Sequence, residues 1–142
     1  MRQLFVDTSA YFALADKRDE NHEAAVHFIH QLIRERAELL TTNYIIAETH
    51  TLLLNRIGYT TALQVLEDLY KSQTRIYRVK EAEERRALEI IRTYTDKEFS
   101  LVDAISFATM ERFHLTQAFA FDYHFAQYGL ALLPAKSSRG QH

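Results

Sequence analysis

Four acidic side chains stand at positions where a carboxylate is either a local brace or a ligand. Asp7 follows the apolar run Leu4-Phe5-Val6 and precedes the helical pattern of Tyr11, Phe12, Leu14 and Ala15. Asp122 repeats that layout after Ala118-Phe119-Ala120-Phe121. Asp103 lies three residues after Ser100 and shares a helical face with Phe107 and Met110. Glu48 falls beside Leu52, at the edge of the apolar arc of Ile45, Ile46, Thr49, Leu52, Leu53 and Ile57. Each has a plain structural reading. Asp is a preferred helix N-cap, Ser-x-x-Asp is a capping box, and a boundary glutamate packs its stem and keeps its head in water. As a set they point further. Clustered carboxylates raise each other's pKa, and a hard divalent cation removes that conflict. Oxygen-only ligands suit Mg²⁺ or Mn²⁺ rather than Zn²⁺. Such ions acidify water and stabilise the charge of an in-line phosphoryl displacement. The reaction class is metal-assisted phosphodiester hydrolysis.

A parallel sheet is what would bring these residues together. One proline and three glycines in 142 residues argue for long helices and tight connections. Strands are expected over residues 2–6, 38–41, 75–79, 118–121 and 130–133. Helices are expected over 8–16, 21–36, 43–57, 59–72, 81–94 and 100–113, with a helical turn over 123–128. Ile33 is assigned to the inner face of the second helix and Leu88 to that of the fifth. Gly58 ends the helix that starts at Asn43. Alternating strands and helices imply a mostly parallel sheet covered on both faces. In such sheets the functional crevice lies beyond the carboxyl ends of the strands, where Asp7 and Asp122 would meet. One domain is expected over residues 1–134, with a disordered polar tail over 135–142.

Bulk composition narrows the field. The absence of cysteine excludes disulfides, thiolate metal sites and cysteine nucleophiles. No apolar run approaches the roughly 20 residues that span a bilayer, and the start lacks a signal-peptide layout, so a cytoplasmic protein is expected. The net charge of −2 does not favour a nucleic-acid partner, yet a cation bound at an acidic site would offset the charge locally.

Four stretches carry a resemblance: Phe5-Val6-Asp7-Thr8-Ser9, Ile46-Ala47-Glu48-Thr49, Phe99-Ser100-Leu101-Val102-Asp103-Ala104 and Phe121-Asp122-Tyr123-His124-Phe125. Their order and spacing over residues 2–134 resemble a PIN domain, above all the toxin subunits of VapBC-type toxin–antitoxin pairs. The resemblance implies a Rossmann-like three-layer α/β fold with five parallel strands. It implies a Mg²⁺- or Mn²⁺-dependent ribonuclease specific for single-stranded RNA, a homodimer, and an antitoxin that occludes the site. The ligands it carries over are Asp7, Glu48, Asp103 and Asp122, with a hydroxyl of Thr8 or Ser9 nearby. Asp7 and Asp103 are expected to be direct ligands, Glu48 a ligand or a water-orienting base, and Asp122 the holder of a second ion or of its water. Two positions depart from the family pattern: Ala120 where Thr or Ser is frequent, and Tyr123 where Arg is frequent.

Other residues are assigned smaller roles. His124 is read as a surface or half-buried histidine, and His22, His27 and His30 as a helix face. Phe12 is placed in the core, and Tyr44 at a base-stacking or dimer position. Arg56, Lys97 and Arg112 are the basic candidates for RNA phosphates at the rim of the site. Leu54 and Tyr70 lie off the core arc, as a homodimer face would. A haloacid-dehalogenase-type phosphatase needs a second Asp where Ser9 stands, and a receiver domain needs an acidic pair that is missing here. A stand-alone RNA-processing nuclease and a non-catalytic binding module remain as alternatives.

Overall fold

The computed structural model describes residues 2–135. The strands are β1 (Gln3–Val6), β2 (Glu38–Thr42), β3 (Arg75–Tyr77), β4 (Gln117–Phe119) and β5 (Ala131–Leu133). The helices are α1 (Thr8–Ala15), α2 (His22–Arg34), α3 (Asn43–Arg56), α4 (Tyr59–Lys71), α5 (Glu81–Thr93), α6 (Leu101–Arg112) and the short α7 (His124–Gln127). All pairings are parallel and the order is β3-β2-β1-β4-β5. The expected five-stranded parallel sheet is therefore present. The expected tail falls, apart from Ala135, outside the described residues.

Alternation along β1 divides the core in two. Leu4 and Val6, with Phe119 of β4, pack against Ala10, Ala13, Ala25, Phe28 and Leu32 of α1 and α2. Phe5 points the other way, into a larger cluster with Leu40, Tyr77, Ile90, Ile105, Phe107 and Phe125. Successive strand residues face opposite sides, so a strand buried on both sides reads as one continuous apolar run. Helix α6 is buried without a break from Asp103 to Met110. It lies wedged within the larger cluster, and its first turn sits at the carboxyl edge of the sheet.

Several elements differ from expectation, each for a local reason. Strand β4 stops at Phe119 instead of Phe121, because the Phe121 N–H donates to the Ser9 hydroxyl (2.9 Å). Strand β3 stops at Tyr77, because the Val79 N–H donates to Asn43 Oδ1 (2.9 Å). The buried stripe of α5 is Glu83, Ala87 and Ile90, which turns Leu88 outward. Ile33 is 66% exposed and lines a groove between α2 and α4. Gly58 adopts φ +127°, a region that side chains other than hydrogen strain to enter. It lets α3 turn directly into α4.

Candidate active site

Asp7 leaves β1 at its carboxyl end and opens α1. Its amide donates to the Phe119 carbonyl (3.1 Å), which ties it to the end of β4. Its Oδ2 accepts from the Ser9 N–H (3.0 Å) and the Ser9 hydroxyl (2.6 Å). Ser9 thus bridges Asp7 to Phe121 and fixes the approach to Asp122. Asp103 closes a reciprocal capping box: it accepts from the Ser100 N–H (3.1 Å), and its own N–H donates to the Ser100 hydroxyl (3.0 Å). Asp122 Oδ1 accepts from the His124 N–H (2.9 Å) and so holds the turn into α7.

The capping reading and the ligand reading therefore apply together. Asp7 and Asp103 each engage Oδ2 in local structure, and Asp122 engages Oδ1. Among the described residues the second oxygen of each has no hydrogen-bond partner. Those oxygens remain available to a cation.

Electrostatics shows that the four carboxylates sense one another. Burial pushes the Asp7 carboxyl up to about 7, with Asp122 and Glu48 adding to the rise and the Ser9 bonds opposing it. Burial likewise raises Glu48, helped by the charges of Asp103 and Asp122 and opposed by Thr8. Asp103 is raised by burial and by Asp122, while the Ser100 amide and His124 pull it down. Among the described residues no Lys or Arg forms an ion pair with any of the four. Carboxylates buried without a Lys or Arg partner are costly, and a divalent cation answers that cost directly. The donor set fits such an ion.

His124 is the residue that sequence reasoning placed outside the chemistry and the structure places within it. Its Nδ1 lies 2.8 Å from Asp103 Oδ2 and 3.4 Å from Asp122 Oδ1. Ligand atoms of Asp103, Asp122 and His124 all lie within 4.8 Å of one another. The spacing gave only a part of this: an Asp that caps a turn accepts from the backbone N–H two residues on, which keeps His124 beside Asp122.

The remaining candidates separate. Thr8 accepts from the Thr49 hydroxyl (3.2 Å) and its Oγ1 reaches the Ile45 carbonyl (3.5 Å), which joins α1 to α3 beneath Glu48. Arg112 is not at the rim. It sits at the far end of α6 beside Glu83 (3.6 Å) and over the Tyr77 ring, since α6 runs antiparallel to the strands. Arg56 covers the ring of Phe12, which is half-buried and outside both core clusters. Lys97 pairs with its neighbour Asp96 (3.4 Å). Tyr44 gives its hydroxyl to Glu84 (3.0 Å). His22 Nδ1 meets the Ala13 carbonyl (2.7 Å), while His27 and His30 face solvent, so those three form no ligand set. Ala120 is buried beside the site, and Tyr123 is 68% exposed next to Asp122.

Residues 4–130 match the PIN domain, and the chain belongs to that family. More particularly, it is similar to the 23S rRNA-specific endonuclease VapC20 of Mycobacterium tuberculosis. The two are 32% identical over 126 residues, which cover 89% of this chain and 94% of the relative. The crystal structure of VapC20, described as a sarcin–ricin-loop-cleaving toxin, superposes with a TM-score of 0.81 over 90% of this chain and 96% of that one. Ribonuclease VapC26 of the same organism is 27% identical over 111 residues, 78% of this chain and 79% of the relative. VapBC2 of Rickettsia felis, in a structure bound to a promoter DNA fragment, has a TM-score of 0.68 at 12% identity. It covers 92% of this chain and 96% of its own, a likeness of fold alone.

Proposed function

We propose that the protein is a divalent-metal-dependent endoribonuclease of the VapC kind, the toxin of a toxin–antitoxin pair, acting in the cytoplasm. The observation that carries this reading is the group of buried and half-buried carboxylates at the carboxyl edge of the sheet, where Asp7, Asp103 and Asp122 each keep an oxygen free of hydrogen bonds and none of the four pairs with Lys or Arg. In this reading Asp7 and Asp103 would hold Mg²⁺ or Mn²⁺. The cation supplies positive charge to the scissile phosphate and acidifies the attacking water. Glu48, its carboxyl raised by burial, orients that water and accepts its proton. Asp122 completes the pocket. Water adds to phosphorus, a phosphorus–oxygen ester bond breaks, and one fragment ends in phosphate and the other in hydroxyl. Tyr123 offers an exposed ring to a base beside the scissile bond.

Two surfaces support the partner part of the reading. The groove between α2 and α4 has a volume of about 1370 Å³ and is lined by Leu14, Ile29, Ile33, Val65 and Leu69. An apolar groove of this kind receives the apolar face of a partner helix, here an antitoxin segment. Leu54, Tyr59 and Tyr70 stand exposed on α3 and α4, as a homodimer face would. Among the described residues no helix is long and apolar enough to cross a membrane.

The test is cleavage of a 23S rRNA loop of the kind VapC20 acts on, with the protein first stripped by chelator. Mg²⁺ or Mn²⁺ should restore site-specific cutting. Cutting that persists in chelator, or none under any divalent ion, would count against the reading.

A further inference from the structure

We propose that His124 is a nitrogen ligand of the cation, presented through Nδ1, and that it tilts the site from Mg²⁺ toward Mn²⁺ and later transition ions. The inference rests on the proposed metal site and names a donor that the oxygen-only expectation left out. Neighbouring donors about 2.1 Å from an octahedral ion stand about 3 Å apart. Nδ1 lies 2.8 Å from Asp103 Oδ2 and 3.4 Å from Asp122 Oδ1, close to two such octahedral edges.

The ring is held there by its surroundings. Its backbone N–H donates to Asp122 Oδ1 (2.9 Å), so the residue is locked to one of its co-ligands. Phe99 packs against it nearly at right angles, with ring centres 5.6 Å apart, and limits rotation. A cation bound between these groups would take the place of the hydrogen shared by Nδ1 and Asp103 Oδ2 and leave the ring hydrogen on Nε2. Hard, strongly hydrated Mg²⁺ gains little from such a donor. Imidazole suits transition ions, and affinity for it climbs from Mn²⁺ to Co²⁺.

Two measurements test this. In pulsed EPR of Mn²⁺ bound to the full wild-type chain, the metal should show nitrogen coupling. Replacing histidine nitrogen with ¹⁵N should change the coupling frequency. Stoichiometric Mn²⁺ binding without nitrogen coupling would overturn the proposal and leave the carboxylate site standing. This readout does not depend on any variant folding. Calorimetry on wild type and His124→Gln is the second measurement. The loss of affinity should be slight for Mg²⁺, about tenfold or more for Mn²⁺, and larger again for Co²⁺. Equal losses for all three ions, or tighter binding by the variant, would mean that His124 is only a displaced counter-group and would overturn the proposal. Failure of the wild type to bind any of the ions would remove the metal site itself.

Discussion

Asp7 shows most directly how burial and function interact. It is 3% exposed, and its carboxyl is raised from 3.8 to about 7. The folded chain then keeps a proton there that the unfolded chain releases between about pH 4 and pH 7. The unfolded state binds fewer protons in that window, so metal-free stability falls as pH rises through it. A shift of about three units corresponds to roughly 4 kcal/mol. Thermal melts in chelator should give a lower Tm at pH 7.5 than at pH 5, and Asp7→Asn should flatten that slope. A wild-type Tm that rises over the same range would contradict the burial argument. Ser9 belongs to the same scale, because it braces Asp7 and stops β4 with one hydroxyl. Ser9→Ala should cost about 1 kcal/mol of stability and also slow cleavage. A slowed rate with an unchanged Tm, or the reverse, would separate the two roles.

Among the elements, the turns decide where the carboxylates arrive. Gly58 has open space around it but a φ of +127°. Gly58→Ala should therefore cost about 1 to 3 kcal/mol through backbone strain and leave cleavage intact in the folded fraction. Denaturant melts and rate measurements on the same preparation check both. At this scale the sequence was readable wherever period and caps agreed. Leu4-Phe5-Val6 announced a strand buried on both sides, and Ser100-x-x-Asp103 announced the start of α6. The ends of β3 and β4 were not readable. They are set by Asn43 and Ser9, side chains 36 and 112 residues away from the amides they bind. The role of His124 escaped for a related reason: its partner Asp103 is 21 residues distant, and only the fold brings the two together. Arg112 was misplaced because the direction of α6 is a property of the topology and not of its own pattern.

For the whole molecule, apolar surface separates assembly from chemistry. The groove between α2 and α4 and the exposed residues of α3 and α4 involve none of the four carboxylates. Ile33→Asp should weaken capture of an antitoxin while leaving RNA cleavage at the wild-type rate. A combined Leu54→Ser and Tyr70→Ser variant should shift sedimentation at micromolar concentration from dimer toward monomer. A wild type that sediments as monomer would remove the dimer.

The central claim is that Asp7 and Asp103 serve as ligands as well as caps. It is tested most directly by metal-dependent RNA cleavage measured side by side for wild type, Asp7→Asn and Asp103→Asn, each first shown to be folded. Asparagine keeps the shape and the capping acceptor and removes the charge. Both variants should fold, with the capping contribution changed by no more than about 1 kcal/mol and with Asp7→Asn more stable than wild type in chelator near neutral pH as its burial cost is relieved, and both should lose cleavage by about a hundredfold or more. Full-rate cleavage by both variants would show that the carboxylates only cap their helices, and the catalytic account would fall.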